Sequence, residues 1–231
     1  RKTFFAVIIW QLSDFYNKVL LRFAMAQFFE IHPDNPQKRL IQQAVSIIDK
    51  GGVVIYPTDS SYALGCHIGD KAAMEKIARI RQADKNHHFT LVCSDLSEIG
   101  TYAKVSNSDY RLMKTLTPGP YTFLLKATSE VPRRLMNPKR KTIGVRVPDN
   151  HIVHSLLEAL GQPIMSCTLL PAVGQEAIDD VEALRRLYEH EVELVIDGGF
   201  CGLEPSTVIS LIDSIPEVIR YGKGPVEFLE A

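Results

Sequence analysis

Lys50-Gly51-Gly52-Val53-Val54-Ile55-Tyr56-Pro57-Thr58-Asp59-Ser60-Ser61-Tyr62-Ala63-Leu64-Gly65 is the stretch on which the reading of this chain turns. The paired glycines stop the helix that precedes them. Residues 53–56 are a short β-branched run, the pattern of a buried strand. A dense hydroxyl loop, Thr58 to Tyr62, leaves that strand. Ligands of open α/β sheets bind outside the carboxyl ends of strands, which places a candidate site here. Hydroxyls and backbone N–H groups suit a phosphate or a small polar substrate. Turn chemistry accounts for the same residues equally well, since Pro, Thr, Asp and Ser all favour turns.

Working outward, Asn35-Pro36 offers an N-cap with proline at the first helical position, and Leu40, Ile41, Ala44, Val45 and Ile48 recur at helical spacing. Asp70 caps a second helix running to Arg81, and residues 89–93 read as the next strand. Helices are predicted at 106–116, at 149–160 closed by Gly161, and from Asp179 or Asp180 to His190. Extended runs are predicted at 121–126, 142–147, 163–167, 192–196, 207–212 and 217–221. Strands alternating with helices argue for an α/β fold with parallel pairs, and the closely spaced final strands add antiparallel pairing. The expected architecture is a single-domain twisted mixed parallel/antiparallel sheet with flanking helices, spanning 25–231.

The bulk numbers bound the function. A chain of 231 residues, 45% apolar and 23% charged, has ample material for a core. Its net charge of −1 excludes a uniformly basic nucleic-acid glove, so phosphate contacts must come from a local patch. Cys66, Cys93, Cys167 and Cys201 lie far apart with no C-x-x-C, against a zinc finger or redox dithiol. They read as reduced thiols of a cytoplasmic protein. Thr3 to Trp10 is an apolar run like a signal-peptide core, with Ala24 to Ala26 as a cleavage-like A-x-A. Asp14, Lys18 and Arg22 interrupt the intervening stretch, and the run is too short to span a bilayer. The expectation adopted is that Met25 is the natural start and residues 1–24 are an upstream-translated extension, with no membrane partner.

The chain contains no G-x-x-x-x-G-K-[ST], no G-x-G-x-x-G after a strand, no H-E-x-x-H and no G-x-S-x-G. His151 and His154 sit one helical turn apart without an acidic partner and read as surface histidines; no bound metal is expected. Arg79, Arg81 and Lys85 cluster at the end of the second helix, where the helix dipole alone favours cations. Arg79 and Arg81 do not share a helical face, so the helix must end there if both are to reach one ligand. Arg133, Arg134, Lys139, Arg140 and Lys141 place five positive charges within nine residues, with Arg146 on the next strand. Residues 176–204 are acidic. This asymmetry is the footprint of a phosphate-backbone binder, and a solvated loop explains it as well. No aromatics interleave with the basic residues, so duplex or structured RNA fits better than stacked single strands.

Five ordered segments carry a family resemblance. Residues 50–65, Thr117-Pro118-Gly119-Pro120-Tyr121-Thr122-Phe123, Thr142-Ile143-Gly144-Val145-Arg146-Val147-Pro148, Ser206-Thr207-Val208-Ile209 and Arg220-Tyr221-Gly222 resemble the motifs of the YrdC/YciO family, in family order. The YciO branch is the nearer, including Phe28-Phe29-Glu30-Ile31-His32-Pro33-Asp34-Asn35-Pro36 after Met25. The resemblance implies a concave, positively charged surface for double-stranded RNA or nucleotide. Catalytic members make threonylcarbamoyl-AMP from threonine, bicarbonate and ATP with Mg²⁺, for tRNA modification. Carried over by motif, Thr58 and Tyr62 would contact threonine, and Arg79 and Arg81 would hold its carboxylate and the carbonate. Lys85, Arg146, Ser166, Ser206 and Arg220 would face the nucleotide or RNA.

The chain also departs from the catalytic pattern. S-x-S-A-N is replaced by Ser166-Cys167-Thr168-Leu169-Leu170, which puts an aliphatic side chain where an amide is needed. K-x-R becomes Arg79-Ile80-Arg81, a planar fork for a point charge. Ser60 stands for threonine and Ala63 for glycine. Each buried polar partner lost costs about 1–3 kcal/mol, so binding with weak or absent synthase activity is expected. A working synthase is the alternative.

Overall fold

The structure, a computed structural model, describes residues 25–82, 89–133, 135–136, 141–169, 178, 180–213 and 215–229. Its strands are β1 (Gln27–Glu30), β2 (Val54–Tyr56), β3 (Ala63–His67), β4 (Thr90–Val92), β5 (Ala103–Lys104) and β6 (Tyr121–Ala127). They continue with β7 (Thr142–Arg146), β8 (Ile164–Thr168), β9 (Leu194–Asp197), β10 (Thr207–Ser210) and β11 (Glu217–Arg220). All join one mixed sheet in the order β1-β9-β2-β3-β8-β4-β7-β6-β10-β11, with β5 pairing to β6 off this path. The flanking helices are α1 (Lys38–Asp49), α2 (Lys71–Ile80), α3 (Leu96–Tyr102), α4 (Asn107–Leu116), α5 (His151–Leu160) and α6 (Val181–Tyr188). The mixed α/β sheet expected from the alternation is the one observed.

Strand periodicity sorts the core into two layers. On and beside β2, Val54 and Tyr56 join one apolar cluster while Val53 and Ile55 join the other. The first cluster is sealed by Ile41, Ala44, Val45 and Ile48 of α1 and by Ile152, Val153, Leu156 and Leu157 of α5. The second packs Met74 and Ile77 of α2, Met113 of α4 and Leu184 of α6. Burying each large aliphatic side chain contributes about 1.5–3 kcal/mol. Farther along the sheet, the α1/α5 face carries a different kind of residue. Val92 pairs with Arg146, Thr90 with both Ser166 and Gly144, Thr122 with Val208, and Val208 with Arg220. Paired residues point to the same side, so this row is polar where the adjoining row is apolar.

Several expectations are corrected. The first helix begins at Lys38 with Gln37 at the N-cap, not at Asn35-Pro36. The reason is a competing turn: Asp34 and Asn35 donate their N–H groups to His32 Nδ1 at 3.2 and 3.1 Å. His32 N–H in turn donates to Gln37 Oε1 at 3.1 Å. α5 begins at His151 rather than at 149, because Asn150 caps it by accepting from Val153 N–H at 3.1 Å. Its other end is closed by Gly161 at φ 67°, a left-handed conformation that glycine takes without a Cβ penalty. Asp180 caps α6, and Asp179 lies outside the described residues. Of the three final extended runs, β10 and β11 pair antiparallel, but β9 lies parallel between β1 and β2. β1, β3, α3 and β5 were not anticipated. No helix among the described residues is long and apolar enough to cross a membrane.

Candidate functional site

The polar row of the sheet floors a cavity of about 430 Å³. Arg81, Arg146, Arg220, Ser166, Ser206 and Thr122 line it, with Ala63, Val92, Leu124 and Val208 as its apolar part. Gly144 keeps the floor open. A Cβ there would sit 3.0 Å from Thr90 Oγ1 and 3.5 Å from Thr122 Cγ2. Three guanidiniums face this space, and no Asp or Glu side chain lines it among the described residues. Enclosure strengthens their field relative to open water.

Arg146 ends β7 and is 6% exposed, so its charge needs a partner. Its Nη2 donates to Asp59 Oδ1 and, at 2.9 Å, to Ser60 Oγ. Asp59 is itself held: Oδ2 accepts from Asp149 N–H at 2.8 Å, and its carbonyl accepts from Lys223 Nζ at 2.5 Å. Arg146 Nε is buried with no hydrogen-bond partner among the described residues.

Arg220 donates from Nε and Nη2 to the carbonyl of Ser206 at 3.1 and 2.7 Å, and from Nη2 to Ser206 Oγ at 3.2 Å. Thr122 and Ser206 share a hydroxyl contact of 2.8 Å. Burial, and then the positive charge of Arg146, hold the Arg220 guanidinium below its ordinary value. Burial and a neighbouring cation both disfavour the charged guanidinium, and an anion in the cavity would oppose both. Tyr56 and Ser166 share a buried hydroxyl contact of 2.6 Å, and burial pushes the Tyr56 hydroxyl up to about 12. Burial likewise raises the Cys167 thiol, with Arg81 and Arg220 opposing only in part. Cys167 therefore lines the cavity as a neutral thiol, not a thiolate nucleophile.

Of the residues singled out in the sequence, Arg81, Arg146, Ser166, Ser206 and Arg220 are brought together here. Thr58, Tyr62 and Arg79 do not line the cavity. Thr58 Oγ1 accepts from Ser60 and Ser61 N–H at 3.2 and 3.3 Å and donates to Ser61 O at 2.6 Å, so the hydroxyl is spent inside its own turn. Tyr62 donates to Gly199 O at 2.9 Å and anchors the loop after β9. Arg79 is exposed on α2, whereas Arg81, at the C-cap, turns inward. Lys85, Arg134, Lys139, Arg140 and Leu170 lie outside the described residues; Arg133 and Lys141 are exposed. Sequence reasoning missed Asp59 as the partner of Arg146, and Thr90 and Thr122 as floor. Only the hydroxyl richness of the first loop hinted at any of this. None of the four cysteines forms a disulfide among the described residues, and no group of three His, Cys, Asp or Glu converges as a metal site there.

A family model described as "Telomere recombination", the Sua5/YciO/YrdC domain, matches residues 46–222. The uncharacterized protein YciO of Escherichia coli (strain K12) is 57% identical over 203 residues, covering 88% of this chain and 98% of that protein. The crystal structure of E. coli YciO matches with a TM-score of 0.84 at 58% identity, over 88% and 98% of the two chains. A threonylcarbamoyl-AMP synthase of Chromobacterium violaceum is 32% identical over 181 residues, covering 78% of this chain and 92% of the synthase. The structure of P. abyssi Sua5 complexed with L-threonine has a TM-score of 0.80 at 25% identity, over 88% of this chain and 59% of that one. With a family model matched across 46–222 and YciO matched along nearly its whole length, this chain belongs to the Sua5/YciO/YrdC family.

Proposed function

We propose that this chain binds a nucleoside triphosphate in the arginine-lined cavity, phosphates toward Arg81, Arg146 and Arg220, and turns it over weakly or not at all. The observation that carries the reading is the enclosure of three guanidiniums in about 430 Å³ with no carboxylate on the lining among the described residues. That volume is in the range of small-molecule sites, and planar guanidiniums match phosphate oxygens in pairs. Ser166 and Ser206 would complete the polar contacts, and Mg²⁺ would arrive on the nucleotide. Weak turnover is inferred from Leu170 in place of the asparagine of catalytic members. Double-stranded RNA, the other expected ligand, would have to lie across the mouth, because a duplex does not enter a cavity of this size.

The second reading is threonylcarbamoyl-AMP synthesis, favoured by the 32% identity to a protein of that name. A carbamate oxygen formed from threonine and bicarbonate would attack the α-phosphorus, and the guanidiniums would neutralise charge on the departing pyrophosphate. Thr58 and Tyr62 would then have to exchange their present hydrogen bonds for the amino acid. Calorimetric titration with ATP and Mg²⁺, beside pyrophosphate release with threonine, bicarbonate or ATP omitted in turn, tests both. The expected result is ATP binding that Arg220→Met weakens about 10- to 100-fold, without threonine-dependent release. Release requiring every component would establish the synthase reading instead. Absence of ATP binding would overturn the nucleotide reading.

A further inference from the structure

Three loops meet at the Asp59 corner of the cavity. Lys223 Nζ donates to Asp59 O at 2.5 Å, and Lys223 N–H donates to Pro205 O at 2.9 Å. A Cβ on Gly222 would fall 2.2 Å from Pro205 O, and one on Gly202 would fall 2.7 Å from Ser60 O. Gly202 holds φ +104°, open only to a residue without a Cβ. The 198–206 and 221–224 loops are thus locked together against the loop that grips Arg146.

The side chains this junction sends outward are apolar. Phe200 is 75% exposed, Tyr221 66% and Leu203 41%. Ile219, 50% exposed, lines the cavity itself and joins the two regions. Exposed apolar side chains grouped on joined loops, rather than scattered singly, are candidates for an interaction surface. Their neighbours decide the partner. Lys223 is exposed on the same junction, Arg220 borders Tyr221, and Glu204 is the loop's exposed anion. Exposed rings on two joined loops, one carrying Lys223 and following Arg220 of the cavity lining, match a ligand that alternates π-faces with phosphates.

We propose that this rim is a stacking platform for unpaired bases of a single-stranded nucleic acid, one of whose phosphates occupies the arginine-lined cavity. The proposal rests on the cavity binding phosphate, and extends it from a mononucleotide to a strand. Phe200 and Tyr221 offer the ring faces, Leu203 and Ile219 the apolar edge, and Lys223 a backbone contact. In a duplex the base faces are already stacked and are closed to such a platform. The aromatic residues lie far from the 133–141 basic run in sequence, and only the folding of β9, β10 and β11 sets them beside cations.

Fluorescence anisotropy with a 5′-phosphorylated single-stranded hexanucleotide, an abasic chain of the same phosphates and a duplex tests the proposal. ATP titration runs in parallel. The hexanucleotide is expected to bind at least about 10-fold more tightly than the abasic chain or the duplex. F200S/Y221S should erase that difference and leave ATP binding unchanged, and F200W/Y221W should restore it. Both positions are exposed, so folding should not suffer. Equal binding of hexanucleotide and abasic chain, with ATP bound, would overturn the platform and spare the cavity reading. Failure of ATP and both chains to bind would overturn both. A concentration-dependent mass that F200S/Y221S abolishes, with no base dependence, would give the surface to a second copy of the chain.

Discussion

Cutting one side of the Arg146–Asp59 pair should cost much more than removing the pair. The two side chains are 7% and 10% exposed, so neither charge can fall back on water. In Arg146→Met, Asp59 keeps the Asp149 N–H but loses its counter-charge while buried; the expected cost is about 3–5 kcal/mol. In Asp59→Asn, Arg146 keeps Ser60 Oγ at 2.9 Å but faces Arg220 with no counter-charge, and a similar loss follows. The double variant D59N/R146M removes both charges and leaves lost hydrogen bonds and packing, about 1–3 kcal/mol. The coupling should therefore exceed about 2 kcal/mol. Urea unfolding followed by fluorescence and circular dichroism measures all four proteins, and total stability is on the order of 5–15 kcal/mol, so the single variants stay near the measurable limit. Phosphate should stabilise D59N more than the parent, because the freed guanidinium gains an anion. Single losses below about 1 kcal/mol, or a double loss equal to the sum, would show a pair that behaves as if solvated, and the buried-pair reasoning would fail.

Alkaline pH should unfold the chain through its buried hydroxyl and thiol. The folded Tyr56 value is about 12 against about 10 for a free tyrosine, so its contribution is complete below pH 10 and is lost as pH rises to 12. That loss is about 3 kcal/mol, and Cys66, also raised by burial to about 12, adds loss of the same sign; a flat stability profile from pH 9 to 11.5 would contradict it. Arg81→Ala should weaken phosphate binding about 10-fold or more, while Arg79→Ala on the exposed side of α2 leaves it unchanged in the same titration. Gly222→Ala should destabilise by about 1–3 kcal/mol in thermal or urea unfolding, since its Cβ would meet Pro205 O at 2.2 Å and the Ser206 backbone at 2.8 Å. A neutral effect would mean that the two loops are not locked together.

Much of the fold could be read along the chain. The strand of residues 53–56, the Asp70 cap and the Gly161 stop announce themselves through signals a few residues long. β3 did not: Ala-Leu-Gly-Cys-His has no β-branched residue, and its strand character comes from pairing with β2 on one side and β8 on the other. Nor did the insertion of β9 between β1 and β2, a pairing of Leu194 with Gln27 and Val54 far earlier in the chain that no local pattern records.

The site divides along the same line. Residue chemistry marked a hydroxyl loop after the first strand and the cations Arg81 and Arg146, and the family resemblance added Ser166, Ser206 and Arg220, five positions spread over more than half the chain. That Thr58 spends its hydroxyl on its own turn, that Asp59 holds Arg146, and that Arg79 faces solvent while Arg81 faces the cavity came only with the tertiary structure. Capping, turns and strand periodicity are settled by interactions within a few residues, so sequence by itself determined the alternation and the candidate residues. Which side chains converge depends on strand order and on where a helix ends against the sheet. Those are set by burying both faces at once, and only the assembled fold decides them.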